Sequence, residues 1–264
     1  QADVTIATIE VPISEASRFG ILGFDASYRV TSFVEKPTNP PSNRANMGVY
    51  LFNLKVLDLA LWEDHLRNDS SHDFGKNILP HLVSEGKRVF AYPYDGYWVD
   101  VGTVNSYWQA HMDLLLDPPP INLNDRDWIT HTRTEERPPV RVARSAKIID
   151  SMISDGCIIS AGAQVENSVL SPGVFIGPGA VVRQSILLTD CAVHSGATVA
   201  RAILDKKVQI HDNAQVGGLQ EDGEPLLTMI GKSSMVPADV VIEAGAVIGT
   251  DVVASDYPTK LVRG

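Results

Sequence analysis

The chain has 264 residues, 44% of them hydrophobic, and a formal net charge of -10. That length can hold two domains, and the acidic balance argues against a nucleic-acid partner, which asks for a basic face. No apolar run approaches the ~18 residues of a membrane span, and Gln1-Ala2-Asp3-Val4 shows no signal-peptide pattern, so a cytoplasmic protein without a membrane partner is expected.

Residues 1–117 alternate strand-like runs with helical patterns, the signature of an α/β domain. Val4 to Val11 reads as a strand. Gly20–Gly23 and Tyr28–Val34 read as a strand pair turning at Asp25-Ala26-Ser27, and Met47–Asn53 as a buried strand. Leu54, Leu57, Leu61 and His65 share one face of a helix. Phe74, Ile78, Leu79, Leu82 and Val83 mark a second helix, with Asp73 placed to favour its N-terminus. Arg88–Tyr94 is a further strand, and Thr103 can cap a helix running to about Leu116. Pro118-Pro119-Pro120 stops that helix and opens a linker, 118–140, rich in proline and charge. The opening strand has no preceding element to pair with, and no glycine-rich phosphate loop occurs anywhere in the chain.

From 141 to 264 the sequence repeats every 17 residues. One column reads Val142, Ile159, Ile176, Val193, Ile210; another Ile148, Val165, Val182, Val199, Val216; a third Ile153, Leu170, Leu187, Leu204. A fixed short period means one unit stacked on itself, each burying its apolar face on the next. Within a coil the groups Ser168-x-Leu170, Val174-x-Ile176 and Ala180-x-Val182 each place one small and one large residue two apart, hence on one side of a short strand. Three such strands joined by three corners make a triangular prism. The corner column Ser145, Gly162, Gly179, Gly196, Asn213 suits positive φ. Gly217–Pro225 interrupts the register, and a last coil resumes at Val236, Ile242 and Ile248. The pattern resembles the left-handed parallel β-helix of hexapeptide-repeat proteins; crossover rules alone would favour the right hand.

The two cysteines, Cys157 and Cys191, share an inward column two coils apart. At ~4.8 Å per coil they are about 9–10 Å apart, beyond the ~7 Å reach of a disulfide, so two small buried thiols are expected. An outward column, Met152, Val169, Ile186, Ile203, is apolar where a free prism face would be polar, and is expected to be covered, by the α/β part folding back or by another subunit.

Four segments carry a further resemblance: Val34-Glu35-Lys36-Pro37, Ala45-Asn46-Met47-Gly48-Val49-Tyr50, Ser71-His72-Asp73-Phe74-Gly75-Lys76 and Tyr97-Trp98-Val99-Asp100-Val101-Gly102-Thr103. With Asp125-Arg126-Asp127-Trp128-Ile129 and the repeats that follow, they resemble the ADP-glucose pyrophosphorylase (glucose-1-phosphate adenylyltransferase) family over the whole chain. The resemblance implies the C-terminal part of a Rossmann-like nucleotidyltransferase domain (1–117), lacking the part that grips ATP, then a linker (118–140) and a β-helix (141–264) used for oligomerisation and regulation. It implies a Mg²⁺-dependent, allosteric, tetrameric enzyme of glycogen or starch synthesis, with this chain inactive alone.

In that reaction the glucose 1-phosphate oxygen attacks the α-phosphorus of ATP and releases pyrophosphate. Such transfers ask for in-line positioning and charge neutralisation. The resemblance implies that Lys36 supplies a cation to the sugar phosphate, Glu35 accepts sugar hydroxyls, Gly20 lets backbone approach the sugar, and Asp100 ligates the metal. Asn46 stands where the family usually has Ser and can still bond a hydroxyl; Arg201 falls where the family has a basic effector residue. The residues alone leave plainer readings open: Glu35 and Lys36 as a solvated pair, Asp100 as a turn carboxylate, Trp98 as packing, Arg201 as a solvated outward side chain. Two other functions compete. A non-catalytic regulatory paralogue would need no triphosphate loop. A hexapeptide acyltransferase would use a coil histidine as base, and His194 and His211 stack one period apart.

Overall fold

A computed structural model describes residues 2–132, 135–219 and 226–264. The chain divides into two compact units, Gln1–Gly96 and Tyr97–Gly264.

The first unit is a mixed five-stranded sheet, built from β1 (Val4–Glu10), β2 (Gly20–Phe24), β3 (Val30–Glu35), β4 (Arg44–Phe52) and β5 (Val89–Pro93) in the order β3-β2-β4-β1-β5. Only β1 and β5 run parallel. β2 and β3 join through a turn that Asp25 closes by accepting the Ser27 and Arg29 amides at 2.9 and 3.0 Å. On one sheet face Val4, Ile6, Leu22 and Val89 meet Ala60 of α1 (Leu54–His65) and Leu79 and Leu82 of α2 (Leu79–Ser84), all nearly inaccessible.

Two elements differ from expectation. In α1 the Leu54, Leu57, Leu61 face is not the buried one. Ala60 and Asp64 turn inward, while Leu54 and Leu61 are exposed. An acidic residue goes inside because both its carboxylate oxygens are occupied there. β4 is not buried on both faces: Val49 and Leu51 are 54% and 74% exposed. With Thr5, Ala7, Met47, Tyr92 and Tyr94 they line an almost wholly apolar hollow on the sheet face away from the helices. β4 also bulges: Ile6 faces Tyr50 but Thr8 faces Asn46, and Gly48 absorbs the extra residues at φ +74°.

The second unit is a parallel β-helix. Its short strands form three sheets of seven, six and six strands, in which residues before the insertion pair with their equivalents 17 positions on, as Gln164 with Lys147 and Val181. The inward columns are those read from the repeat from the second coil on: Ile159, Ile176, Val193 and Ile210, with Val165, Val182, Val199 and Val216, are all at most 1% exposed, whereas Val142 and Ile148, on the edge strands that open the stack, are 47% and 37% exposed. After Ile203 the next partner is Met229, so the insertion is absorbed between coils; residues 220–225 of it lie outside the described residues. The last coil uses Val236, Ile242 and Ile248.

The expected glycine corner is present, with Gly162, Gly179, Gly196 and Asn213 at φ +58° to +71°. The other two corners use positive φ as well: at non-glycine residues on one, Asp150, Asn167, Gln184 and Arg201, and at a mixture on the other, Gly156 and Gly173 followed by Asp190, Lys207 and Ser233. Coil stacking pays that local cost over again at each turn.

A ladder of hydroxyls ties the coils together. Ser151, Ser168 and Ser185 each donate to the carbonyl two residues earlier at 2.7 Å. Each also accepts the amide one period on, from Ser168, Ser185 and Ala202, at 3.1–3.2 Å. Ser168 and Ser185 are fully buried.

Helix α3 (Val104–Asp113) starts at Thr103, whose side chain and that of Ser106 cap each other's backbone amides. It lies on the outward column of its own unit. Ile186 is fully covered by a cluster with Trp108 and Leu227, against which Ile203 and Met112 also rest, and Trp108 Nε1 donates to the Gln184 carbonyl at 2.8 Å. Met152, at the far end of the column, stays 37% exposed.

Ser168→Ala should leave the Ser185 amide without its acceptor inside the coil stack and cost about 1–3 kcal/mol by urea denaturation; a midpoint equal to that of the unsubstituted chain would show that the ladder contributes nothing. Ile186→Asp should release α3 without unfolding the coils. Amide exchange would report it, with faster exchange confined to 104–113; continued protection there would contradict the packing.

Candidate functional site

The first unit brings four of the six proposed site residues onto one sheet. Gly20 begins β2 and pairs across the sheet with Glu35, which ends β3. The backbone then turns sharply: Lys36 sits at φ +46° and its amide donates to the Phe19 carbonyl at 3.0 Å. Lys36 Nζ lies 3.8 Å from Glu35 Oε1, with the lysine 64% exposed and the glutamate 19%. The cation therefore faces solvent while the carboxylate is held.

Two glycines hold it. A methyl group added at Gly20 would fall 2.7 Å from Glu35 Oε2, and one at Gly75 would fall 2.5 Å from the same oxygen. Gly75 belongs to a wide helical turn, Phe74–Ile78, capped by Asp73, whose carboxylate accepts the Lys76 amide at 2.8 Å. Phe74 stacks on Tyr50 with ring centroids 5.8 Å apart.

Asn46 comes from β4, at the bulge. Its Nδ2 donates to the Tyr50 hydroxyl at 2.8 Å, and its Oδ1 accepts the Gly48 amide at 3.0 Å. It braces the bulge first; one amide hydrogen and one lone pair remain for a ligand. The Tyr50 hydroxyl is pushed above its ordinary pKa, chiefly by burial, and further by the Glu35 and Asp73 charges; the Asn46 bond opposes this. The region thus offers carboxylates, a phenol and an amide beside the Lys36 and Lys76 cations. Sequence spacing alone does not point to Tyr50, Asp73 and Phe74 as neighbours of Glu35. The alternation 46, 50 across a bulge and the run 73–75 do not signal a shared surface until the sheet is formed.

The other two candidates belong to the second unit. Asp100 is exposed, and its carboxylate folds over Gly102, where an added methyl would lie 2.8 Å from Oδ2. Among the described residues no three His, Cys, Asp or Glu side chains converge on a metal position. Asp100 therefore fits a Mg²⁺ only as one carboxylate ligand among donors from substrate and water, the manner in which that ion commonly binds. Trp98 is half-buried. Arg201 stands at a corner position at φ +45°, its Nε donating to Gln184 Oε1 at 2.8 Å, in a groove with Trp108, Met112, Leu115 and Asn167.

His194 and His211 stack as the period implies, 4.9 Å apart and 6° from parallel, and His194 Nε2 lies 3.2 Å from Gln209 Oε1. Cys157 and Cys191 are free and buried; burial raises both thiols, Cys191 to about 12, so neither is a nucleophile. Among the described residues no helix is long and apolar enough to cross a membrane.

Comparison with known proteins bears on both units. Residues 1–116 match the nucleotidyl transferase family, and residues 139–229 match the family of GlmU-like C-terminal hexapeptide domains. The chain thus carries a nucleotidyltransferase domain followed by hexapeptide repeats, and nucleotidyltransferases generally use a divalent metal. It is 50% identical over 159 residues to a glucose-1-phosphate adenylyltransferase of Bacillus anthracis, an alignment covering 60% of this chain and 42% of the relative. It is 52% identical over 159 residues to one from Desulforamulus reducens, covering 60% of this chain and 40% of the relative. The chain spans about two fifths of the length of these curated relatives.

Gly20→Ala should cost about 1–3 kcal/mol, because the new methyl meets both the Glu35 carboxylate and the ring of Phe33, 2.8 Å away and buried. Urea denaturation measures this; an unshifted midpoint would show that both side chains yield freely.

Proposed function

We propose that this chain supplies the sugar-phosphate half-site and the β-helix of a glucose-1-phosphate adenylyltransferase, which joins ATP and glucose 1-phosphate into ADP-glucose and pyrophosphate for glucan storage. One observation carries the reading: within a nucleotidyltransferase domain, a carboxylate is seated between two glycines with an exposed lysine ammonium beside it. A carboxylate held by backbone suits sugar hydroxyls, and a solvent-facing ammonium suits a phosphate.

In this reading Lys36 binds and neutralises the sugar phosphate, so that its oxygen is held for attack. Glu35 orients the sugar through its hydroxyls, Gly20 seats the Glu35 carboxylate and lets backbone approach the sugar, and the remaining amide hydrogen of Asn46 reaches a further hydroxyl. The reaction needs alignment and charge balance more than covalent help, and these residues supply both. Asp100 would hold Mg²⁺, which when bound spreads the phosphate charge. Arg201 would be a basic contact for an effector. We place the enzyme in the cytoplasm as a homotetramer, with residues 1–117 catalytic, 118–140 a linker and 141–264 the β-helix.

No glycine-rich loop able to grip a triphosphate occurs in these residues. The apolar hollow of Thr5, Ala7, Val49 and Leu51 is consistent with a domain whose remaining part would cover that sheet face. A non-catalytic regulatory subunit is the second reading; a glycine-rich loop in the upstream sequence of the parent polypeptide, or the lack of one there, separates the two.

The 264-residue chain is expected to release no pyrophosphate from ATP and glucose 1-phosphate, and measurable release would refute the half-site reading. In an active full-length enzyme, Lys36→Ala should mainly raise KM for glucose 1-phosphate and Asp100→Asn should mainly lower kcat. The opposite pattern in steady-state kinetics would mean the two roles are exchanged.

A further inference from the structure

The segment that delivers Asp73, Phe74 and Gly75 to the site begins at a residue in an unfavourable conformation. His72 sits at φ +56°, the left-handed region, without being glycine. Its ring is 55% exposed, so burial does not hold it there. What touches it is the carboxylate of Asp64, near the end of α1 and 9% exposed, with Oδ2 2.7 Å from His72 Nδ1.

The second carboxylate oxygen is also engaged. Ser70 Oγ donates to Asp64 Oδ1 at 2.6 Å and itself accepts the His72 amide at 3.0 Å. Ser70 and His72 hold the Asp64 carboxyl below its ordinary range, so it is ionised and accepts only. Nδ1 of His72 therefore carries the hydrogen. One buried carboxylate thus fixes both the side chain and, through Ser70, the backbone of the residue where the chain reverses.

Past that point the geometry follows without slack. The Asp73 carboxylate caps the Phe74–Ile78 turn, Phe74 lies on Tyr50, and Gly75 lies against Glu35. A chain leaving His72 in an ordinary right-handed or extended conformation would send this turn elsewhere.

We propose that Asp64, Ser70 and His72 form a positioning latch for the sugar-phosphate site, holding the 70–72 backbone so that Asp73, Phe74 and Gly75 are set against Glu35 and Tyr50. The latch touches no substrate. It rests on the reading of this region as a glucose 1-phosphate site and adds to it residues outside that site's surface.

The test uses calorimetric titration of glucose 1-phosphate into the 264-residue chain, with amide exchange at Lys76 and Asn77 to follow the capped turn. His72→Ala removes the donor and disfavours the left-handed backbone. It should weaken binding roughly tenfold, as loss of a hydrogen bond to a charged group does, and speed exchange at both amides, with the urea midpoint of the β-helix unchanged. His72→Asn is the conservative rescue: Asn tolerates left-handed φ, and its Nδ2 is bonded to Cγ as Nδ1 of histidine is. It should bind close to the unsubstituted level. Native affinity in His72→Ala, while Lys36→Ala abolishes binding, would overturn the latch and leave the site reading intact. An Asn variant as weak as the Ala variant would overturn it too. No binding by the unsubstituted chain would overturn the site reading, and the latch with it.

Discussion

Repetition at 17 residues constrains the second unit more than any single contact. A coil of three short strands has two open edges and cannot satisfy its own backbone or bury its own interior. Each coil therefore depends on registration with the next, and registration fixes what may stand at each position. A branched aliphatic fills the prism. The small partner at Ser168 and Ser185 leaves room for a hydroxyl that turns back to one carbonyl while taking the next coil's amide. The corners must reverse in few residues, and positive φ results whether the residue is Gly179 or Gln184. Flat outer faces follow from the same geometry, and one of them, at Ile186, is the seat for Trp108 of α3.

The first unit obeys a different constraint. Its sheet is closed by α1 and α2 on one face only, so a strand read as wholly buried shows Leu51 to the outside. The candidate site forms where backbone can come close. Gly20 and Gly75 have no side chains, so a carboxylate fits between them, and the bulge at Gly48 brings Asn46 under Tyr50. Burial then acts on what is gathered there: it raises the Tyr50 hydroxyl and keeps it protonated as a donor.

The same economy explains why an acid lies inside α1. A buried Asp64 would be costly alone, but two short hydrogen bonds to one loop make it the anchor of that loop. The helix accordingly leaves Leu54 and Leu61 outside, an arrangement that hydrophobic pattern alone would reverse.

The sequence by itself determined the β-helix, its inward columns, its glycine corner and the unpaired cysteines, because stacking copies one local rule at a fixed interval and each rule is visible in residue type. It also determined the helix start at Thr103 and nominated Glu35, Lys36, Gly20 and Asn46 through short motifs. Tertiary structure alone decided which face of α1 is buried, which corner positions carry positive φ without glycine, and that Asn46 commits half of its amide to its own bulge. It also decided that Asp64, Ser70 and His72 act together. The physical reason is that these depend on partners brought together only when the chain has folded. A carboxylate's neighbours cannot be read from its spacing in a chain, whereas an aliphatic repeated every 17 residues meets only its own kind.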